Sequence, residues 1–438
     1  MAITVSAFEA AAVSTALPTV AADLDGDRLY GAALSAFMLA SLFALVASGE
    51  WADRRGPARP FLAGVATFAV GLVVVGAAPT MLVVVLGRVA QGLGAGALAN
   101  VAYVAVGRAW PDDAKAGIFA LMSSGWVVPS LVGPTIAGWV TSHVSWRWVF
   151  LGLLPLLPVL VALTLPSFVR MAAVPAGPPV RSRLPAALVL CAAAGVALAG
   201  LQASRWPLLV GLTLVGFAAG VRPLRALLPA GTFRASSGAA ACVAARLAVN
   251  VAFFGVDVFV PLAATRLHGA TPTQAGLVIV GATLLWSVAS AVVARRLDAH
   301  GPTGLVRVGC ALLACGCALT CAVTVASFSL WVTFVAWMPA GFGIGLVFTT
   351  LSATALSGAG ADRAGLVGSQ LGIADALGFA VSAGIGGALV GVADRTSLSL
   401  AVALRVLFVG CALVAVVGMA TAHRVAAPAG SSALTPAT

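Results

Sequence analysis

The chain has 438 residues, of which 61% are hydrophobic and only 8% charged, a balance that a water-facing surface could not carry. Its solvent is therefore lipid, and a soluble domain of any class is excluded. The formal net charge of +11 would suggest nucleic acid in a soluble protein, so its meaning depends on where the basic residues lie.

Apolar runs of about twenty residues predict membrane-spanning helices, not the ten-residue alternating segments of an outer-membrane barrel. Spans are predicted near 2–22, 30–51, 60–78, 80–106, 116–141 and 147–165, a first group of six. A linker bearing Pro and Arg, from Pro166 to Arg183, leads to two shorter spans near 185–203 and 206–222. A second group of six begins near 238, 273, 303, 329, 365 and 398. The first run has no basic segment before it, since the first Lys or Arg is Arg28, so it reads as a span and not as a signal peptide. The expectation is an all-α membrane protein of about fourteen helices. An N-terminal six-helix bundle occupies 1–165, a linker with two extra helices 166–237, a C-terminal six-helix bundle 238–422 and a tail 423–438.

With the N-terminus in the cytoplasm, the inner loops and tail hold most of the 24 Lys and Arg residues, while the outer loops hold only Arg28, Arg147, Arg205, Arg266 and Arg395. By the positive-inside rule both termini are expected to be cytoplasmic. The basic charge is then an orientation signal, and no nucleic-acid partner is expected. A lone Lys, Lys115, amid many Arg and an excess of Ala and Gly suggests a GC-rich bacterial genome and hence an inner membrane. The seven Cys, including Cys310, Cys315, Cys317 and Cys321, lack the spacing and His companions of a metal site and read as packing residues.

Comparing the two groups of six reveals an internal repeat at an offset of about 245 to 249. The loop Gly49-Glu-Trp-Ala-Asp53-Arg54-Arg55-Gly56 partly matches Ala294-Arg-Arg-Leu-Asp298-Ala-His-Gly301. Gly92-Leu-Gly94-Ala-Gly96 recurs as Gly341-Phe-Gly343-Ile-Gly345, and Gly138 matches Gly387.

Polar residues inside the spans mark the chemistry. Glu9, Asp257 and Asp375 each lie within a span, where an ionised, unpaired acid costs roughly 2.5 to 3.5 kcal/mol at mid-membrane. Burial disfavours the charged form of a carboxyl, which suits such groups to taking a proton from one side and releasing it to the other. Arg246, Asn250, Phe253 and Asp257 are spaced by four, three and four, which places them on one helical face expected to line a central cavity. Arg246 and Asp257 are too far apart along that face to pair, so each requires its own partner. Gln91, Asn250 and Gln370 are candidates to hydrogen-bond a substrate. No G-x-x-x-x-G-K-[ST], H-E-x-x-H or G-x-S-x-G pattern occurs, so neither an ATP site nor an enzyme is expected, and a proton gradient is the energy source with no cofactor.

Four separated motifs resemble the major facilitator superfamily over nearly the whole length, in particular its fourteen-helix drug-proton antiporter branch. Gly49 through Gly56 resembles the family's G-x-x-x-D-R-x-G loop, which implies a conformational latch built on Gly49, Asp53, Arg54 and Gly56. Arg88-Val-Ala-Gln91-Gly92 resembles the fourth-helix R-x-x-Q-G motif, whose Arg is linked to proton coupling. Gly125, Pro129, Gly133, Pro134 and Gly138 resemble the exporter motif that bends the fifth helix, although Pro129 and Ala137 stand where Gly is usual. Phe8-Glu9 through Ala16-Leu17-Pro18 looks like the first-helix acidic motif, and Trp146-Arg147-Trp148 like the tryptophan signature of the sixth span, with Leu153 in place of the usual Asn. Only eight residues precede Glu9, fewer than relatives carry, which leads us to expect an upstream start codon. The resemblance implies a monomeric, proton-driven exporter of small amphipathic molecules, its partners being that small-molecule substrate, protons and the lipid bilayer. An uptake symporter or facilitator on the same fold is the alternative, ahead of a membrane-embedded enzyme or sensor.

Overall fold

The computed structural model describes residues 2–109, 127–171, 182–201, 203, 205–325, 327–357 and 364–425. The described elements are helical, as a bilayer demands, because a helix satisfies its own backbone groups where no water can. In chain order they are α1 (Ala2–Asp23), α2 (Tyr30–Arg55), α3 (Ala58–Gly76), α4 (Met81–Ala109), α5 (Val127–His143), α6 (Arg147–Leu151) and α7 (Leu156–Arg170). Next come α8 (Leu184–Leu201) and α9 (Trp206–Leu227), then α10 (Ala239–Asp257), α11 (Val260–His268), α12 (Pro272–Thr320), α13 (Leu330–Ser357), α14 (Ala364–Ala393) and α15 (Leu400–Thr421). Among the described residues there are 12 stretches long and apolar enough to cross a membrane. Neither α1 nor α5 is among them; α5 has 17 residues, and residues 110–126 before it lie outside the described set.

Two boundaries differ from the expected ones. The sixth span runs through Pro166 to Arg170, because Phe168 is buried edge-on against Phe61, with ring centroids 4.9 Å apart, and that contact outweighs the one backbone hydrogen bond a proline removes. Helix α9 continues past Arg222 to Leu227, with the Arg225 guanidinium 5.9 Å from the Phe233 ring centroid and Leu227 buried, so long basic side chains ride on an apolar helix instead of ending it.

The repeat is visible in the backbone. Gly56, between α2 and α3, has φ 78 and ψ 165, and Gly301, which interrupts α12, has φ 66 and ψ 159. Each precedes a proline, Pro57 or Pro302, and only glycine occupies this region without strain, so the same kink is made twice. The glycine triplets also perform matched tasks. Gly92 and Gly96 of α4 press on the backbone of α2 at Phe37 and Ser41, while Gly94 presses on α3 at Phe68. In α13, Gly341 and Gly345 press on α12 at Ala282 and Trp286, before its kink, while Gly343 presses on Gly309 and Leu313, beyond it. Small residues allow this closeness, which is what drives association where lipid is as apolar as the side chains.

The two halves meet along α2 with α14 and along α5 with α12. A Cβ on Gly31 would lie 2.7 Å from the Cα of Gly387, and one on Gly138 would lie 2.5 Å from the Cα of Thr273. Tyr30 Oη donates to Val258 O at 3.0 Å in the break between α10 and α11, and Ser35 Oγ donates to Ala380 O at 2.8 Å. Arg266 pairs with Asp27, just ahead of Tyr30 in the chain. Asp394 follows α14 beside this pair: partial burial, then the charge of Asp27, raises its carboxyl above the ordinary range, against the attraction of Arg266, Arg28 and Arg395.

Replacing Gly387 by Leu should wedge α14 from α2. Overpacking of this kind costs about 1–3 kcal/mol, so we expect lower thermal stability in detergent, with increased thiol-reagent labelling of a Ser35→Cys reporter in the same chain.

Candidate functional site

The buried charges collect in two clusters, one in each half. In the first, α1 presents Glu9 to α4, where Arg88 and Gln91 stand three residues apart on one face. Arg88 Nη1 donates to Glu9 Oε1 and, at 3.0 Å, to Gln91 Oε1. The guanidinium lies 4.1 Å from the centroid of the Phe37 ring, so its remaining face meets π density and not lipid. The side chains of Arg88 and Glu9 are 3% and 1% exposed, so the pair is sealed. Among the described residues, Glu9 Oε2, Arg88 Nε and Gln91 Nε2 are buried without a hydrogen-bond partner.

In the second cluster, Arg246 of α10 grips Asp375 of α14 with two parallel bonds, Nε to Oδ1 at 2.5 Å and Nη2 to Oδ2 at 3.1 Å. Its third nitrogen donates to Phe348 O at 2.7 Å and Ser352 Oγ at 2.9 Å, both on α13, and the guanidinium stacks 3.0 Å from the Phe348 ring centroid. Asn250, one turn on, donates to Asp375 Oδ1 at 2.8 Å and leaves its own Oδ1 buried and unpaired. Here the exposure is unequal. Arg246 is 4% exposed but Asp375 is 32% exposed, so this carboxylate keeps an open side.

Further along the same face of α10, Phe253 stacks on Trp337 with centroids 5.0 Å apart and meets Trp286 edge-on at 5.3 Å. Trp286 in turn packs on Phe348, which joins this aromatic wall to the Arg246 cluster. Asp257 closes the series by accepting from Trp337 Nε1 at 3.0 Å. Arg246 and Asp257 thus have separate partners, Asp375 and Trp337. Ser352, Phe348, Trp286 and Trp337 were not singled out by sequence, although a tryptophan in a span carries an indole N–H that needs an acceptor, and that signal pointed toward an acid. Gln370 is buried on α14, five residues before Asp375, a spacing that turns it about 140° from the cluster. A 470 Å³ apolar hollow between α3 and α7, lined by Val65, Leu157 and Val161 among others, contains none of these residues.

The remaining motif residues lie elsewhere. Gly49 faces Asn100 of α4, which donates to Ser48 Oγ at 3.2 Å, and Arg54 sits 3.6 Å from Glu50 at the exposed end of α2, where Gly56 ends the helix. The side chain of Asp53 and the whole of Gly125 lie outside the described residues. Pro129, Gly133, Pro134 and Gly138 are buried in α5, with Pro134 inside the helix and its carbonyl against Gly276 of α12.

A family model described as Major Facilitator Superfamily matches residues 1–383. The chain belongs to the major facilitator superfamily. It is therefore a secondary transporter and not an enzyme. Among relatives of this superfamily member, a Mycobacterium tuberculosis protein named "Probable multidrug-efflux transporter" is 30% identical over 365 residues, covering 78% of this chain and 75% of its own. The multidrug efflux pump SdrM of Staphylococcus aureus is 26% identical over 163 residues, 37% of this chain and 36% of its own. In fold the chain is similar to a POT family transporter crystallised with 5-aminolevulinic acid, with TM-score 0.71 and 12% identity over 96% of this chain and 95% of that one. It is likewise similar to an auto-inhibited POT family peptide transporter, with TM-score 0.70 and 17% identity over 100% of this chain and 98% of that one.

Removing one partner of a sealed ion pair strands the other. Arg88→Ala should therefore cost about 3–5 kcal/mol, and Arg246→Ala less, because Asp375 has an open side. Thermal unfolding in detergent checks the order, and the double change Glu9→Gln with Arg88→Gln should destabilise less than Arg88→Ala alone.

Proposed function

We propose that this chain is a proton-coupled exporter of small amphipathic molecules that works by alternating access, and that its inserted helix pair brings the spans to fourteen. The observation carrying this reading is the division between the clusters, a sealed Glu9–Arg88 pair in one half and a partly open Asp375 beside aromatic faces in the other. The sealed pair suits proton exchange. Protonating Glu9 removes its charge and leaves Arg88 held by Gln91 Oε1, which already accepts from it. The open side of Asp375, with Asn250, Phe253 and the indoles, offers a hydrogen-bonding edge and an apolar wall, which is what an amphipathic molecule needs. Asp257 is the second proton-linked acid in this reading. Gln370 is a substrate contact on another face of α14.

Further assignments rest on the same reading. The Gly49–Gly56 loop is the latch at the cytoplasmic end, α5 bends at Pro134 between Gly133 and Gly138, and both termini lie in the cytoplasm of a bacterial cell. The relatives' names support export as the direction. One proton moving down about 100 mV yields roughly 2.3 kcal/mol, enough for somewhat under a hundredfold gradient of a neutral substrate.

Efflux of a fluorescent dye from loaded, energised cells tests the mechanism. It should collapse with a protonophore, and fall at least about tenfold in Glu9→Gln and Asp257→Asn at equal expression. Efflux untouched by the protonophore and by both substitutions would overturn proton coupling.

A further inference from the structure

The pair α8 and α9 holds none of the site residues, yet α8 lies where the halves meet. It packs against α2 of the first half and α14 of the second, the two helices that touch each other through Gly31 and Gly387. Ahead of its first turn, Glu50 of α2 accepts from Ser182 Oγ at 2.7 and 3.0 Å and from the Arg183 backbone N–H at 2.7 Å. A carboxylate there both satisfies a free donor and complements the helix dipole. Along α8, Cys191 Sγ donates to Leu39 O of α2 at 3.1 Å.

The other end reaches the second half. Leu198 clusters with Leu39 and Ala380, and a Cβ on Gly384 of α14 would come within 3.1 Å of Leu198 Cγ. Just beyond, Ala203 O accepts from Arg395 Nη1 at 3.1 Å. Glu50 of α2 gathers several charge-assisted contacts at the start of α8, whereas the second half meets the far end through the Arg395 bond to Ala203 O, beyond the helix, and offers Leu198 a glycine with no side chain to obstruct it. Charge-assisted bonds are about twice as strong as neutral ones, so the end that has more of them stays fastened and the glycine contact gives way first when the halves move apart. Ala380, which Leu198 packs on, accepts from the Ser35 hydroxyl, and that hydroxyl would lose its acceptor if the seam opened to lipid.

We infer that Glu50 is a positioning residue that fastens the inserted helix pair to α2, so that α8 travels with the first half as a strap over the α2–α14 seam while its far end slides across Gly384. This rests on the alternating-access reading above. It gives a task to Glu50, between Gly49 and Asp53, and to two helices that hold none of the site residues.

Crosslinking in the full chain with its native cysteines replaced tests the strap. A short bifunctional thiol reagent joining Glu50→Cys to Ser182→Cys should leave dye efflux undiminished or raise it toward that of the chain that keeps Glu50, because the link replaces the tie that the carboxylate supplied. Joining Leu198→Cys to Gly384→Cys should reduce efflux at least about tenfold, reversibly on reduction, because those groups must part. Equal tolerance of both links, or arrest by the first as severe as by the second, would overturn the strap. Glu50→Ala should lower the maximal rate about tenfold with KM unchanged, and Glu50→Gln, which keeps an acceptor, should recover most of it. Spin labels at Leu198 and Gly384, and at Arg54 and Arg183 so that Glu50 and Ser182 stay in place, provide a readout independent of transport: on changing pH in lipid, the 198–384 distance should change and the 54–183 distance should not. Two fixed distances, or two that change alike, would overturn the strap, whereas absent efflux from the uncrosslinked chain would count against the transport reading.

Discussion

The bilayer interior offers no hydrogen-bond partner, and a polar group placed there is costly unless it finds one within the protein. The backbone meets this demand by coiling into helices. The side chains meet it by finding each other across helices: Glu9 with Arg88, Asp375 with Arg246 and Asn250, Asp257 with Trp337, and the Tyr30 hydroxyl with a carbonyl freed where α10 breaks. These contacts decide which helices lie side by side, because a mispaired charge would cost several kcal/mol.

Packing follows from the same solvent. Lipid tails are as apolar as leucine, so burying leucine gains little, and helices associate by close approach through small residues. The chain answers with glycines at matched places, Gly92 and Gly96 in one half and Gly341 and Gly345 in the other. Between halves the rule persists at Gly31 with Gly387 and Gly138 with Thr273, contacts that the proposed alternating access would part. Glycine surfaces suit that use, since they hold by contact area and not by interlocked side chains.

The halves share a backbone plan and diverge in chemistry. Each has a buried arginine paired with an acid on another helix, yet Glu9 is sealed while Asp375 keeps one side open beside Phe253, Trp286 and Trp337. In the proposed reading the shielded pair handles the proton and the pair with an open edge meets the cargo, so asymmetry between the halves would keep the two tasks apart.

The sequence by itself determined the solvent, the all-helical class and the recurring glycine pattern, because these depend on composition, run length and spacing along one dimension, and 12 of the fourteen expected spans are long and apolar enough among the described residues. It also exposed Glu9, Arg88, Gln91 and the Arg246–Asp257 stripe, since charges are rare in apolar runs and three- and four-residue spacings reveal a helical face. Tertiary structure alone decided the partners. Arg246 meets Asp375 from 129 residues away, Trp337 meets Asp257, and Glu50 caps a helix that begins far along the chain. Such choices depend on which helices lie adjacent and how each is rotated, and no local pattern encodes that rotation. The bounds of the sixth span and of α9 were likewise set in three dimensions, where Phe168 finds Phe61 and Arg225 finds Phe233, because a distant contact can outweigh a local helix-stopping signal.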